Sequence, residues 1–287
     1  MRWSKRTLKR TNFARVFSLV PIQPWIGARE TELAELLDLC EFEDHQDLII
    51  ELLTKFHFLD DASVSTYLRQ IAEYITITSG FSEDNAQIAA LAYDNYADSS
   101  QAVLHWLKLP LYRQGWVSPK SVNKFGNSLT VAKQGRKQII FVDEFVGSGK
   151  TVISRMEYFA KNVDPTIKTQ CDIKFCFIAG MQAGISRIRN FGFDVFCPLI
   201  MEKGISDIPF TTDWHERIEI MKKIEEKLAA TIAGFDLATY SFGYGKAEAL
   251  YSLESRDMNT PNSVFPVFWW PRSRDGRVRH TLLTRAE

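Results

Sequence analysis

The chain has few cysteines, no net charge and no long apolar run. Its four cysteines (Cys40, Cys171, Cys176 and Cys197) show no C-x-x-C spacing, and we expect them to be buried free thiols in a reducing cytosol. The 35 basic residues are balanced by 35 acidic ones, which excludes a global electrostatic pull toward nucleic acid. No run approaches the roughly 18 apolar residues of a membrane span, and the N-terminus lacks a signal-peptide core, so we expect a cytoplasmic protein without a membrane segment.

The composition is typical of a globular protein. Hydrophobic residues make up 45% of the 287 residues and charged residues 24%. This length suits one large domain, or a domain with an appendage. The charge is unevenly placed, because residues 1–29 hold basic residues and no acid, whereas residues 30–61 are crowded with acids.

The N-terminal third has the periodicity of helices. Leu33, Leu36 and Leu37 share one helical face, and similar spacing continues to residue 75. We therefore predict a compact helical region over residues 28–80. A helix-turn-helix or winged-helix module would fit this region, but its acidity argues against DNA contact by these helices.

The middle of the chain alternates between strand and helix patterns. Apolar runs predict strands at residues 87–93, 139–143, 171–179 and 195–201, with helices predicted at 101–109, 152–161 and 184–190. This alternation indicates an α/β fold with a parallel sheet and right-handed crossovers. Such sheets bind ligands at the carboxyl ends of their strands, where the loops at 94–100 and 143–151 are expected to lie.

The loop at 143–151 is the most informative stretch. The strand ends in two carboxylates, Asp143 and Glu144, and a glycine-rich turn leads into a helix. The first amides of a helix have no helical acceptor, and glycine lets the backbone approach an anion closely. We call this turn the phosphate loop; it consists of Gly147, Ser148, Gly149, Lys150 and Thr151. The paired acids can hold ribose hydroxyls or hydrated Mg²⁺, so the pattern favours a sugar phosphate with a leaving group.

Two other interpretations each explain part of this loop. Gly149, Lys150 and Thr151 match the end of a Walker A motif, but that motif needs a glycine where Glu144 stands. An ordinary strand–turn–helix without a ligand explains the glycines but not the acid pair.

The stretch resembles the signature of type I phosphoribosyltransferases: an apolar strand, two acids, two spacer residues and a glycine-rich phosphate loop. The resemblance implies that Asp143 and Glu144 act as the catalytic and metal-binding acids that contact the ribose of phosphoribosyl pyrophosphate in the presence of Mg²⁺. It also implies that the phosphate loop holds the 5′-phosphate. Purine-salvage members place an Asp at the first loop position, where this chain has Gly147, so purine-salvage chemistry is in question.

The same resemblance implies a pyrophosphate-binding loop after the first core strand. Asp98, Ser99 and Ser100 would belong to it, although the serines could instead only cap the following helix. Residues 117–135 correspond to a mobile lid in that family, and a plain solvated loop is the alternative for this polar stretch.

The C-terminal residues hold a second cluster. Asn259 and Asn262 lie in a turn that precedes Trp269 and Trp270. Amides and indoles together could bond and stack a base, as a base or acceptor site, whereas core packing is the alternative role for the tryptophans. With the phosphate loop, this tail is similar to the C-terminally extended phosphoribosyltransferase-like proteins of bacterial conflict systems, some encoded beside retron reverse transcriptases.

That second resemblance implies an antiphage effector, in some systems held inactive by an RNA–DNA hybrid. It would give the basic arm a role in tracking a phosphate backbone, with a solvated tail as the alternative. The arm residues are Arg2, Lys5, Arg6, Lys9 and Arg10.

These observations together predict a basic arm (1–27), a helical region (28–80), an α/β type I phosphoribosyltransferase-like core (84–240) and a C-terminal extension (241–287). The predicted function is binding of phosphoribosyl pyrophosphate or a related nucleotide with Mg²⁺ and reaction at ribose C1. The alternative is a catalytically inactive nucleotide-sensing or nucleic-acid-associated module. A reverse transcriptase partner and a homodimer are expected from family resemblance alone.

Overall fold

A computed structural model of the chain describes residues 10–93, 98–207, 214–253 and 258–286. The chain forms two compact units. We call Asp61–Met201 the sheet unit, and Met1–Asp60 with Glu202–Glu287 the terminal unit. The unit boundaries differ from the predicted domain boundaries at residues 80 and 240. The predicted helical region divides between the two units, and the terminal unit is built from both ends of the chain.

The N-terminal part of the terminal unit is helical, as predicted. Its elements are α1 (Arg10–Leu19), α2 (Glu30–Leu39), α3 (Glu43–Thr54) and the short strand β1 (His57–Phe58). The periodic leucines explain these helices, since Leu33, Leu36 and Leu37 of α2 and Leu48 and Leu52 of α3 are buried.

The sheet unit alternates strands and helices. Its elements are α4 (Asp61–Glu73), β2 (Ala86–Ala90), α5 (Ser99–Trp106), α6 (Lys108–Arg113), β3 (Lys120–Val122), α7 (Phe125–Lys133), β4 (Gln138–Val146), α8 (Lys150–Asn162), α9 (Pro165–Lys168), β5 (Asp172–Met181), α10 (Gln182–Asn190), β6 (Asp194–Phe196) and β7 (Leu199–Met201). The predicted run at 195–201 is thus two short strands rather than one.

These strands form a parallel sheet, which confirms the predicted fold class. The strand order is β3-β2-β4-β5-β6, and β7 pairs with the end of β5. Every residue of β2 is buried, as expected for a central strand with both faces covered. Stacked rings of Phe125, Phe141 and Phe175 (centroids 5.1 and 5.5 Å apart) form part of the core that holds the central strands in register.

Residues 117–135 differ from both interpretations made from the sequence, which were a mobile lid and a solvated loop. They contain β3 and α7, and Val122, Phe125 and Ala132 are buried. The Phe125 N–H donates to the Ala92 carbonyl at 2.8 Å, which ties this segment to the end of the central strands. The apolar residues at these positions bury their surface against the sheet, and this outweighs the polar residues between them.

The C-terminal part of the terminal unit has shorter elements. They are α11 (Trp214–Glu225), β8 (Thr231–Ile232), β9 (Phe235–Asp236), α12 (Leu237–Tyr240) and β10 (Tyr251–Ser252). Met221 and Ile224 form the buried face of α11, as their spacing predicts. Strand β10 pairs in parallel with β1, so the two ends of the chain share one unit.

The absences noted in the sequence have structural counterparts. All four cysteines are free thiols, and burial raises the pKa of Cys40, Cys176 and Cys197. Among the described helices, none has the length and apolar character that a bilayer crossing requires.

Candidate functional site at the carboxyl edge of the sheet

The loops that follow β2 and β4 meet at one edge of the sheet, as predicted from the parallel topology. The two strands are hydrogen-bonded neighbours, with Ala90 opposite Val142. The Ser99 hydroxyl, at the start of α5, donates to Asp143 Oδ1 at 3.2 Å. The Asp143 carboxylate on β4 and the start of α5, which follows β2, therefore lie side by side.

Asp143 has an unusual electrostatic environment. It is half-buried, and its Oδ1 also accepts the Glu144 N–H at 2.8 Å. Burial, followed by the negative charge of Asp98, raises the pKa of Asp143 to about 7. The Glu144 N–H, Arg155 and Ser99 oppose this shift. The carboxyl group therefore titrates close to neutral pH.

Glu144 lies on the other side of the strand. Strand β4 continues to Val146, three residues beyond the predicted end at Asp143, and pairs with β5 as far as Gly180. Consecutive strand residues point to opposite faces, and Glu144 is only 4% exposed. One ribose diol cannot lie against both faces of a strand, so the predicted grip of both acids on one ligand is corrected to Asp143 alone.

The phosphate loop has the backbone form expected of an anion site. Gly149 precedes α8 with φ +73° and ψ −4°, a left-handed conformation that favours glycine. Helix α8 begins at Lys150, two residues before the predicted start, and both Lys150 and Thr151 are exposed. The first-turn amides of α8 lack helical acceptors and carry the positive end of the helix dipole, so they can receive a phosphate.

Helix α10 packs closely against the phosphate loop, and this contact was not predicted from the sequence. A Cβ atom on Gly184 would lie 2.0 Å from the Gly147 carbonyl oxygen, and one on Gly149 would lie 2.8 Å from the Gly184 carbonyl oxygen. The Arg187 side chain donates from Nη1 to the Ser148 carbonyl. One signal was present in the sequence, because glycine inside a helical pattern usually has a packing reason.

Only part of the predicted pyrophosphate loop is available to contact a ligand. Asp98 Oδ1 accepts the Ser100 N–H at 2.9 Å and also accepts the Ser100 hydroxyl, so this pair caps α5. The Ser100 oxygen in turn accepts the Ala92 N–H at 3.0 Å, and Ser100 is fully buried. Ser100 therefore has a structural role rather than that of a ligand donor, while Ser99 remains at the site. Residues 94–97 lie outside the described residues.

The predicted base or acceptor site in the C-terminal extension is wrong for its tryptophans. Trp269 and Trp270 are 2% and 0% exposed, and each indole N–H donates to a backbone carbonyl at 3.0 Å, that of Val264 and that of Ala229 respectively. Burial of two large apolar rings with satisfied N–H groups makes them core residues.

The Asn259 side-chain amide and the Asn262 backbone carbonyl, both in the same turn, are used within the chain. Asn259 Oδ1 accepts the Ala286 N–H at 2.8 Å, and its Nδ2 donates to the Ala286 carbonyl at 3.3 Å. The carbonyl of Asn262 accepts the Tyr244 N–H at 2.8 Å. The turn thus anchors the end of the chain.

Two further predicted sites bear on ions and nucleic acid. Arg2, Lys5, Arg6 and Lys9 lie outside the described residues, and Arg10 opens α1 with its side chain also outside them. Where the structure describes side chains, no group of three or more acids, histidines or cysteines could form a metal site by itself. The negative charge of Asp98 contributes to the raised pKa of Asp143, which fits a pair of carboxyl groups that one hard cation and ligand oxygens would complete.

Comparison with known proteins identifies the family of the chain. The model of the PRTase-CE family, the C-terminally extended phosphoribosyltransferases, matches residues 39–285. No curated protein matches the chain. Among solved structures, a hypothetical protein from Neisseria gonorrhoeae with bound ppGpp is similar at 12% identity and a TM-score of 0.36, over 58% of this chain and 97% of that one. By the match to its family model, the chain belongs to the PRTase-CE family.

Proposed function

We propose that the protein binds phosphoribosyl pyrophosphate, or a related ribose 5-phosphate compound, at the carboxyl edge of the sheet and acts at ribose C1. One observation carries this proposal: the left-handed turn at Gly149 opens α8 beside a half-buried carboxylate, Asp143, that Ser99 contacts from the neighbouring strand's loop. Phosphate and polyol ligands need these two kinds of group close together. The PRTase-CE membership supports the same chemistry.

The residues divide the work by position. The amides from Gly149 to Thr151 anchor the 5′-phosphate, and this binding energy holds the reacting carbon in place. Asp143, once ionised, accepts hydrogen bonds from the ribose hydroxyls. The bond between C1 and pyrophosphate oxygen breaks with its electron pair leaving on pyrophosphate, and a lone pair of the acceptor forms the new bond to C1.

A magnesium ion fits this site only together with the ligand. Asp143 and Asp98 would hold it on one side, and phosphate oxygens and water would complete its shell. When bound, Mg²⁺ supplies neutralisation of the negative charge on departing pyrophosphate. The chain's own contribution is to position the ligand and to exclude water from the half-buried carboxylate.

Release of pyrophosphate tests the proposal. With Mg²⁺, phosphoribosyl pyrophosphate and water as the acceptor, wild-type protein is expected to release pyrophosphate and ribose 5-phosphate, and Asp143→Asn is expected to slow this release by about 10²-fold because the charge that orients the ribose is lost. Asp172→Asn serves as the matched control, since Asp172 is an exposed acid at the opposite end of the same sheet. Equal rates for Asp143→Asn and wild type would disprove the assigned role of Asp143.

A ligand-sensing module is the second candidate, and Gly147 favours it. Salvage-type enzymes carry a carboxylate at this loop position, whereas this loop offers only backbone there. A sensor would gain thermal stability from phosphoribosyl pyrophosphate without releasing pyrophosphate. The same assay, read alongside thermal unfolding, therefore separates the two functions.

The raised pKa of Asp143 predicts a pH-dependent stability difference. A carboxyl group whose pKa is raised by burial favours folding while it is protonated, and this contribution is lost as pH rises through about 7. Without ligand, Asp143→Asn should therefore raise the free energy of unfolding by ~4 kcal/mol at pH 8 and leave it unchanged near pH 4. Denaturant unfolding at the two pH values measures this. An equal effect at both would show that Asp143 does not titrate between them.

The biological setting that we propose is antiphage defence in the cytoplasm. The basic arm would contact nucleic acid, such as an RNA–DNA hybrid made by a reverse transcriptase partner, because Arg2, Lys5, Arg6, Lys9 and Arg10 form an acid-free cationic segment. Homodimerisation is part of the same proposal and rests on family resemblance.

A further inference from the structure

Helix α6 of the sheet unit exposes two apolar side chains between two cations. Lys108, Leu109, Tyr112 and Arg113 are all exposed, whereas Leu111 is buried. Since successive helical residues are rotated by about 100°, the exposed side chains follow around the helix in the order Lys108, Tyr112, Leu109, Arg113. Leu109 is 54% exposed and Tyr112 is 59% exposed. The four side chains therefore form one continuous surface with its charges at the two margins.

The segment that follows α6 extends this surface. The Gly115 N–H donates to the Tyr112 carbonyl and the Trp116 N–H donates to the Leu111 carbonyl, both at 3.1 Å, so the chain stays against the end of the helix. Val117 comes next and is 70% exposed. We define the α6 face by its five exposed residues: Lys108, Leu109, Tyr112, Arg113 and Val117.

The charges around the α6 face are mainly positive. Within the part of the chain that the structure describes, the side chains of Lys108 and Arg113 have no hydrogen bond, ion pair or ring contact. Lys120, three residues beyond Val117, is also exposed. Glu83 is an acid that contacts this segment, and it accepts the Ser118 N–H. Three cations against this acid leave a surface that attracts an anionic partner.

The shape of the α6 face favours a lipid surface as that partner. Its apolar side chains are more than half exposed, so they project from the protein and can insert among acyl chains without a matching pocket in the partner. A tyrosine at such a boundary keeps its ring in the apolar layer and its hydroxyl in water. Lysine and arginine at the margins attract anionic headgroups.

We infer that the α6 face binds peripherally to an anionic lipid surface, with Leu109 and Val117 in the acyl boundary and Lys108 and Arg113 at the headgroups. This inference goes beyond the proposed function, because it adds a partner and requires no ligand at the carboxyl edge of the sheet. It requires no membrane-spanning segment either. Binding is reversible, since a few inserted side chains give far less affinity than a spanning helix.

Co-sedimentation of the full chain with lipid vesicles tests the inference. Wild type should bind vesicles of phosphatidylcholine that contain about one third phosphatidylserine, and salt should weaken this binding by screening the charges. Leu109→Ser should weaken binding by roughly 10-fold, because an inserted apolar side chain is lost. Lys108→Gln combined with Arg113→Gln should weaken it by about 20-fold, which is nearly fivefold for each charge. These variants should unfold at the wild-type temperature, since the changed side chains are exposed.

Phe42→Ser is the matched control. Phe42 is a 60% exposed apolar residue of the terminal unit, but the exposed acids Glu41 and Glu43 flank it and would repel an anionic surface. Its replacement should leave vesicle binding unchanged. Absence of binding by wild type, or equal binding by wild type and Leu109→Ser, would overturn the inference. A lower mass in solution for Leu109→Ser than for wild type, measured by ultracentrifugation, would also overturn it, because a second copy of the chain would then cover the α6 face.

Discussion

Replacing Gly184 with alanine is expected to weaken ribose 5-phosphate binding by about 10²-fold and to lower the free energy of unfolding by about 3 kcal/mol. The new Cβ atom would lie 2.0 Å from the Gly147 carbonyl oxygen and 3.2 Å from the Gly149 nitrogen. Both neighbours are backbone atoms, so no side chain can rotate away to relieve the contact. Either α10 or the phosphate loop must move.

Movement of the loop matters because we propose that its amides bind the phosphate, and such binding depends on their positions. The Arg187 side chain holds the Ser148 carbonyl from the same helix as Gly184, so displacement of α10 changes both contacts. A shift of about 1 Å is enough to misalign amides with phosphate oxygens, and effects near 10²-fold are typical of such misplacement.

Gly126→Ala is the matched control for this prediction. Gly126 lies inside α7 of the same unit, with a backbone that any residue adopts and nothing within 4 Å of an added Cβ. Alanine there should stabilise the helix by roughly 0.5–1 kcal/mol and leave binding unchanged. Calorimetry for binding and chemical denaturation for stability measure both variants. Normal affinity in Gly184→Ala would show that the close packing of α10 does not shape the loop.

Replacing Gly243 with alanine is expected to cause a comparable loss in the terminal unit, again about 3 kcal/mol. A Cβ on Gly243 would lie 1.9 Å from the Ser263 carbonyl oxygen, and the residue has φ +74°. The surrounding backbone is already unusual, because Phe242, Lys246 and Glu248 have positive φ values without being glycine. Such conformations persist only where the surroundings enforce them.

Two buried acids enforce this conformation. Glu225 Oε1 accepts the Phe242 N–H at 3.0 Å. Glu248 accepts the N–H groups of Ile205 at 3.0 Å and Ser206 at 2.8 Å. With these contacts fixed, the segment has no freedom to move away from Ser263, so an alanine at Gly243 must disturb the packing of the C-terminal extension.

Gly276→Ala is the control that separates the effect of the steric clash from the effect of the left-handed backbone conformation. Gly276 has φ +82° in the same unit, but nothing lies within 4 Å of its added Cβ. Alanine there should cost only ~1 kcal/mol, from the backbone conformation alone. Hydrogen exchange read by peptide gives local stabilities without assuming that the two units unfold together. Equal loss of protection in both variants would mean that the close approach to Ser263 is not the cause.

Local patterns predicted the fold class and the position of the site. An apolar run followed by acids, a glycine turn and a helix pattern identified β4 and α8, and the alternation of strands and helices indicated a parallel sheet. Parallel topology then placed the loops after β2 and β4 at one edge, which the contact between Ser99 and Asp143 confirms. These features depend on residues close together in the sequence, and such residues determine turns and periodicity directly.

Side-chain roles that depend on burial were harder to predict. Trp269 and Trp270 suggested a stacking site from their chemistry, yet they lie in the core. An aromatic residue looks the same in the sequence whether its ring is buried or exposed. Only the packing around it decides whether a ring face reaches solvent.

The sequence alone determined that this chain has a parallel α/β sheet with a glycine turn between a strand and a helix, because glycine conformations and strand–helix patterns are local properties. The tertiary structure decided which groups share that site. It separated Asp143 from Glu144 by running β4 on to Val146, and it brought Gly184 against Gly147 from a different helix. Contacts between distant residues depend on how whole elements pack, and no short stretch of sequence contains that information.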